Sequence, residues 1–315
     1  MRIFGKMPSP TQVGVLESLA PQVRRMVAGN SSVFTSTGTC TYVLGHGEVT
    51  VIDPGPANPD HIARLMAALE GERITRIIAS HRHDDHSPGT RILQSICGAP
   101  IIGFDGSIFE QDSRVERPGP SAQEGIDTQF APDVPIRDRC KLGGRDWEIE
   151  VLETRGHTAD HLCFNLNDGQ VLFTGDHIME WAPSVIYPPE GDMGAYRESL
   201  QRIYHRPWKR FFPGHGGVIE EPSAFIAALL QHRRNRERRI VERILRGDTT
   251  IESIMQHLYQ RIDQKLRNAA SATVFAHLLD LARRELLVLV GRSYRNCVVE
   301  SVSTSIQGGA DVWTV

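Results

Sequence analysis

The chain has 315 residues, 40% hydrophobic and 23% charged, with a formal net charge of −3 at pH 7. That balance belongs to a globular protein of one large or two unequal domains, and excludes both a disordered chain and one drawn as a whole to nucleic acid or anionic lipid. No apolar run reaches the roughly 18 residues of a membrane span, and the opening MRIFGKMPSP lacks the apolar core of a leader, so a cytoplasmic chain is expected.

Residues 42–44 and 49–52 read as a hairpin across Gly45 and Gly47 that ends at Asp53-Pro54-Gly55. Pro59 opens a helix over 60–69, with Ile62, Leu65, Met66 and Leu69 on one face. A short buried strand, 77–79, runs into the stretch SHRHDDHSPG, and Ser87-Pro88 is expected to cap a helix through Ile96. Further strands are expected at 101–102, 147–152, 161–166, 171–173 and 210–212. Residues 104–138, rich in Pro, Gly and charge, read as a surface excursion able to cover a site.

From about residue 222 the pattern turns helical, with Ile226, Leu229, Leu230, Ile240, Val241 and Ile244 at helical spacing. Helical segments over 251–258 and 269–286 and an apolar run at 286–290 follow. The expected division is a first domain over 1–221, a connecting helix over 222–248, a small domain over 249–295 and an unassigned tail over 296–315. No element is expected in that tail.

Residues 81–86, HRHDDH, crowd three histidines and two aspartates together. Side chains alternate along a strand, so His-x-His at a strand end places His81 and His83 on one side, able to grip one cation. Asp85 and His86 follow where the chain changes direction. Three further Gly-flanked turns, each after an expected strand, carry His157, Asp176 and His215. Imidazoles and carboxylates suit zinc, iron or manganese, while five scattered cysteines without a C-x-x-C pair speak for free thiols.

With VIDPG at 51–55, HRHDDH at 81–86, GHTADH at 156–161, FTGDH at 173–177 and PGHG at 213–216, the sequence resembles the metallo-β-lactamase superfamily over residues 40–220. The resemblance implies an α/β fold, a four-layer αββα sandwich with the motifs meeting at one edge of the paired sheets. It implies that His81, His83 and His157 hold a first metal ion and Asp85, His86 and His215 a second. Asp176 would bridge both, and Asp53 would stand behind, orienting the histidine loop. Asp84 sits at a variable position and takes no ligand role. Two divalent ions, zinc foremost with iron or manganese as alternatives, would generate hydroxide near neutral pH, with Asp176 and Asp85 as catalytic carboxylates of a hydrolase.

Members that destroy β-lactams usually carry Cys or Ser at the bridging position, so Asp176 points to the ester, thioester, lactone and phosphodiester branch. From residue 222 the chain resembles a subfamily with a small C-terminal winged-helix-like domain, to which endoribonucleases of single-stranded RNA belong. Residues 201–246 hold eleven Lys and Arg against four Asp and Glu. The run HRRNRERR at 232–239 is either a footprint for phosphate or a solvated helix face with Glu237 and Glu242 pairing locally. The leading expectation is hydrolysis of a small ester, thioester or lactone substrate. An RNA nuclease is the alternative and a catalytically silent interaction scaffold the third, with homo-oligomer formation left open. His161 is expected to support the metal turn from behind, and His177 to face either substrate or a neighbouring loop. Trp181, Pro183 and Tyr187 either wall the pocket or pack locally. Specificity is assigned to residues 104–138 and 178–192.

Overall fold

The computed structural model describes residues 12–104, 125–169, 171–291 and 295–303. In chain order come β1 (Glu17–Ala20), β2 (Val23–Val27), β3 (Cys40–Leu44), β4 (Glu48–Ile52), α1 (Pro59–Ala68), β5 (Arg73–Ile78), α2 (Gly89–Cys97), β6 (Ile101–Gly103) and β7 (Val134–Pro135). These seven strands lie in sequential order in one sheet, antiparallel from β1 to β4 and parallel from β4 to β7. A second sheet has the order β12-β11-β10-β9-β8. Its strands are β8 (Lys141–Gly144), β9 (Trp147–Glu153), β10 (Leu162–Leu166), β11 (Val171–Gly175) and, after helix α3 (Met193–Tyr204), β12 (Arg210–Pro213).

Alternation along the strands sorts the apolar residues into three cores, which makes the four layers. Tyr42, Ile52, Ile78, Ile149, Phe164, Phe173 and Phe212 fill the space between the two sheets. Their neighbours Val43, Val51 and Ile77 point outward and pack beneath α1 and α2 through Ile62, Leu65 and Leu93. On the far side Leu152, Cys163, Leu172 and Phe211 pack against Tyr196 and Leu200 of α3, and against Ile226 and Leu229 of the next helix. The chain is thus helices, sheet, sheet, helices.

That next helix is α4 (Pro222–Leu245), followed by α5 (Ile251–Leu258), α6 (Arg267–Arg283) and a hairpin of β13 (Leu287–Val290) with β14 (Val298–Val302). Ile240, Ile254, Met255, Phe275, Leu278 and Leu287 form a core of their own. Contrary to expectation, the tail from residue 296 contains a strand. β14 pairs antiparallel with β13 and buries Cys297 and Val299 against the helices. The stretch Cys297-Val-Val-Glu-Ser-Val302 shows no clean alternation of apolar and polar residues, so it does not register as a strand without its partner. Residues 304–315 lie outside the described residues, as do 105–124 of the long excursion.

Other differences are local. β1 and β2 were not expected, because Arg24 and Arg25 interrupt β2; Arg24 pairs with Glu72 at 2.5 Å and Arg25 with Glu17 at 2.6 Å. Asn58 caps α1, accepting from the Asp60 and His61 amides, with Pro59 in the first turn. Ser87 does not cap α2; its hydroxyl donates to Asp127 at 2.8 Å. Among the described residues no helix is long and apolar enough to cross a membrane.

Phe164 is wholly buried between the sheets. Replacing it with alanine leaves a cavity that neighbouring strands cannot close, and Phe164→Ala is expected to lower stability by about 3–5 kcal/mol, read from the urea midpoint of tryptophan fluorescence.

Candidate metal centre

The ends of five strands meet at one edge of the sandwich. Asp53 follows β4, the stretch from Ser80 follows β5, His157 follows β9, Asp176 follows β11 and His215 follows β12. Backbone bonds stitch the sheets together there. The Leu162 amide donates to the Ser80 carbonyl and the Cys40 amide to the Gly214 carbonyl, both at 2.8 Å. The Tyr42 hydroxyl donates to the Pro213 carbonyl at 2.6 Å. Close packing restricts the turns: a Cβ at Gly156 would lie 2.2 Å from the Tyr196 Cα, and one at Gly214 2.6 Å from Asp176 Oδ1.

The residues singled out from the sequence come together in two groups. His81, His83, His157 and Asp176 form one, with His81 Nε2 at 2.9 Å and His157 Nε2 at 3.0 Å from His83 Nδ1. Asp85, His86 and His215 form the other, the two Nε2 atoms 3.3 Å apart and Asp85 Oδ2 at 3.1 Å from His215 Nε2. Asp176 faces both groups. Its Oδ2 lies 3.7 Å from His157 Nε2, and its Oδ1 lies 3.3 Å from the Nε2 atoms of both His86 and His215.

Hydrogen bonds on the outer side of each ring decide which nitrogen carries the lone pair. His157 Nδ1 donates to the Val185 carbonyl at 2.8 Å and His215 Nδ1 to the Gly38 carbonyl at 3.2 Å. His86 Nδ1 donates to Asp53 Oδ2 at 2.9 Å. The Ser80 hydroxyl gives its proton to Asp53 at 2.6 Å and therefore accepts from His81 Nδ1 at 3.0 Å. In each of these four rings the outer nitrogen has a partner, so the other ring nitrogen faces inward, toward further ring nitrogens and carboxylate oxygens. Asp176 Oδ1 is buried without a hydrogen-bond partner.

Ring nitrogens and carboxylate oxygens converging this closely in a buried space fit a bound cation. Burial pushes the His81 and His157 rings below their usual range and His83 down to about 3, which keeps them neutral and ready to donate. In the second group burial also opposes charge, but the Asp176 and Asp85 carboxylates outweigh it. They raise His215 to about 10 and His86 in the same direction. That place demands positive charge, as a proton or as a metal ion.

Asp53 stands behind the cluster, accepting from the Ser80 amide at 2.7 Å, the Ser80 hydroxyl and His86. Its backbone φ of 49° is a conformation that Asp and Asn tolerate better than most residues. His161 also lies behind: its Nε2 accepts from the Asp176 amide at 3.1 Å, and its Nδ1 meets Thr154 at 2.9 Å. His177 makes no side-chain hydrogen bond to a neighbouring loop among the described residues. It is fully buried, its ring 4.6 Å from that of Tyr196, and both its nitrogens lack a hydrogen-bond partner among the described residues. Trp181 packs beside the His215 turn, where a Cβ at Gly216 would lie 3.2 Å from its ring. The end of the excursion does reach the cluster, since Ile126 bridges to His83 and the Asp127 amide donates to the Arg82 carbonyl at 2.7 Å.

Reading the sequence missed Ser80, Ser184 and the carbonyls of Gly38 and Val185. Ser80 stands directly before His81 and offered a signal; backbone carbonyls offer none. The arginine run of α4 divides between interior and surface, with Arg233 and Arg236 turned inward and Arg234, Arg238 and Arg239 exposed. Arg233 is buried, Arg236 sits 4.1 Å over the Tyr259 ring, Arg238 approaches Glu242 at 3.8 Å and Arg243 pairs with Asp248 at 2.5 Å.

Comparison with known proteins agrees with this geometry. Residues 34–215 match the family model described as Metallo-beta-lactamase superfamily, and residues 250–293 match the Beta-lactamase associated winged helix domain. The chain is 31% identical to the Beta-lactamase-like protein 2 homolog of Drosophila melanogaster, covering 84% of this chain and 89% of that protein. It is 27% identical to an Atrochrysone carboxyl ACP thioesterase of Aspergillus chevalieri, covering 95% and 89%. A Beta-lactamase domain protein from Burkholderia ambifaria shares the fold, with a TM-score of 0.77 at 17% identity over 94% of this chain and 95% of that one.

Replacing Asp53 with asparagine keeps the size and the tolerated backbone but confronts His86 or Ser80 with an amide in place of an oxygen. Asp53→Asn is expected to stay folded and to bind zinc about 10–100-fold more weakly, measured by competition with a chromogenic chelator.

Proposed function

Because this chain belongs to the metallo-beta-lactamase superfamily and is a hydrolase of that family, we propose that it hydrolyses a small ester, thioester or lactone at a site holding two divalent cations. His81, His83 and His157 would hold one, and Asp85, His86 and His215 the other, with Asp176 shared. Zinc suits these donors first, and iron and manganese share them. When bound, the cations supply hydroxide near neutral pH and Lewis acidity toward the substrate carbonyl.

The observation that carries this reading is the posture of Asp176, whose two oxygens face the two groups from a buried position. The remaining work falls to the chain's own residues. The ring hydrogen bonds to Asp53, Ser80, Gly38 and Val185 hold the lone pairs in place, so little reorganisation is needed when substrate arrives. Asp176 and Asp85 would be the carboxylates that take a proton from water, and Asp85 is the more exposed of the two, with 26% of its side-chain surface open against 9%.

An acyl substrate is favoured over RNA by two considerations. Several relatives are named thioesterases, and two arginines of the α4 run, Arg233 and Arg236, turn inward toward Tyr196 and Tyr259, which leaves only part of the run at the surface. The five cysteines are unpaired, which fits the reducing cytoplasm.

The test is a panel of acyl thioester, aryl ester, lactone and single-stranded RNA offered to zinc-loaded protein and to Asp176→Asn. Turnover of at least one acyl substrate is expected, abolished by chelation and reduced about a hundredfold or more in the variant. Cleavage of RNA alone, or acyl turnover indifferent to Asp176, contradicts the proposal.

A further inference from the structure

His157 differs from its partners in what holds it. The outer nitrogens of His81, His86 and His215 bond to Ser80, Asp53 and Gly38, all carried by the first sheet and its loops. The outer nitrogen of His157 bonds instead to the segment after β11, donating to the Val185 carbonyl at 2.8 Å with the Ser184 hydroxyl at 3.1 Å. That segment has no regular secondary structure of its own between Pro183 and Tyr187.

Its anchors come from the C-terminal helices. Arg233 of α4 is 3% exposed and donates through Nη2 to the Ser184 carbonyl. Its guanidinium lies 4.9 Å over the ring of Tyr196, whose hydroxyl donates to the His177 carbonyl at 2.9 Å, one residue beyond Asp176. Thr273 of α6 accepts from the Ile186 amide at 3.4 Å while its own proton goes to the Ala269 carbonyl at 2.9 Å. Ile186 is fully buried and shares a core with Ala276 of α6.

We infer that Arg233 and Thr273 are positioning residues for His157, so that helices α4 and α6 complete the first metal position from beyond residues 34–215. The C-terminal unit is therefore part of the site's framework. A guanidinium suits this task because its fixed fork can bond a carbonyl while its face rests on an aromatic ring. The inference rests on the metal-holding role proposed above for the seven ligands.

The test titrates zinc into metal-free protein against a chromogenic chelator and resolves two stepwise dissociation constants, alongside the melting temperature of the metal-free chain. Arg233→Met keeps most of the packing volume and removes the donor. It is expected to weaken one of the two constants about tenfold while the other stays within about twofold, the low end for a residue acting through a ligand's partner. Arg233→Lys, which can still donate to Ser184, should recover part of the loss. Should Arg233→Met fail to fold, Thr273→Val carries the test, with a selective loss of about threefold expected.

Two unchanged constants in a folded variant overturn the inference and leave the hydrolase proposal intact. Equal weakening of both constants also overturns it, since that marks general loosening. A wild-type chain that binds no zinc overturns the inference together with the reading beneath it.

Discussion

Lone pairs and carboxylates driven together in a buried space repel one another unless positive charge lies between them, and this constraint governs the edge of the molecule where the two sheets meet. Nitrogens of His81, His83 and His157 approach within 2.9 and 3.0 Å, and those of His86 and His215 within 3.3 Å. Water would relieve such a cluster on an open surface, but most of these rings are buried. The surrounding fold supplies the force that keeps them together: three layers of apolar packing, backbone bonds between the sheets, and Asp53 fastened to Ser80 and His86.

This arrangement explains why the site was more legible than parts of the fold. Chemistry that needs imidazole and carboxylate leaves no freedom in residue type, so His81, His83, Asp85 and His86 stand out in the sequence even before a strand is assigned. The strand alternation that points His81 and His83 the same way comes from covalent geometry alone. Strands β9 to β12 stand out because each sends apolar side chains into the space between the sheets and at least one, such as Leu152, Cys163, Leu172 or Phe211, toward the layer of helices.

What stayed hidden depended on partners distant in sequence. β2 carries Arg24 and Arg25, which looks unlike a strand until Glu72, Glu17 and the Gly216 carbonyl are seen to receive them. β14 is a strand only because β13 lies beside it and Val299 finds the core of the C-terminal helices. The arginine run of α4 reads as either a phosphate footprint or a solvated helix face, whereas Arg233 and Arg236 turn inward toward Tyr196 and Tyr259. In each case tertiary contacts overrode the local pattern.

At the core of the account is the sharing of Asp176 between two cations. Anomalous diffraction from zinc-soaked crystals, collected on both sides of the zinc absorption edge, addresses it directly. The account predicts two peaks, one among His81, His83 and His157 and one among Asp85, His86 and His215, with the Asp176 carboxylate between them. A single peak, or two peaks with Asp176 turned away from either, would contradict it.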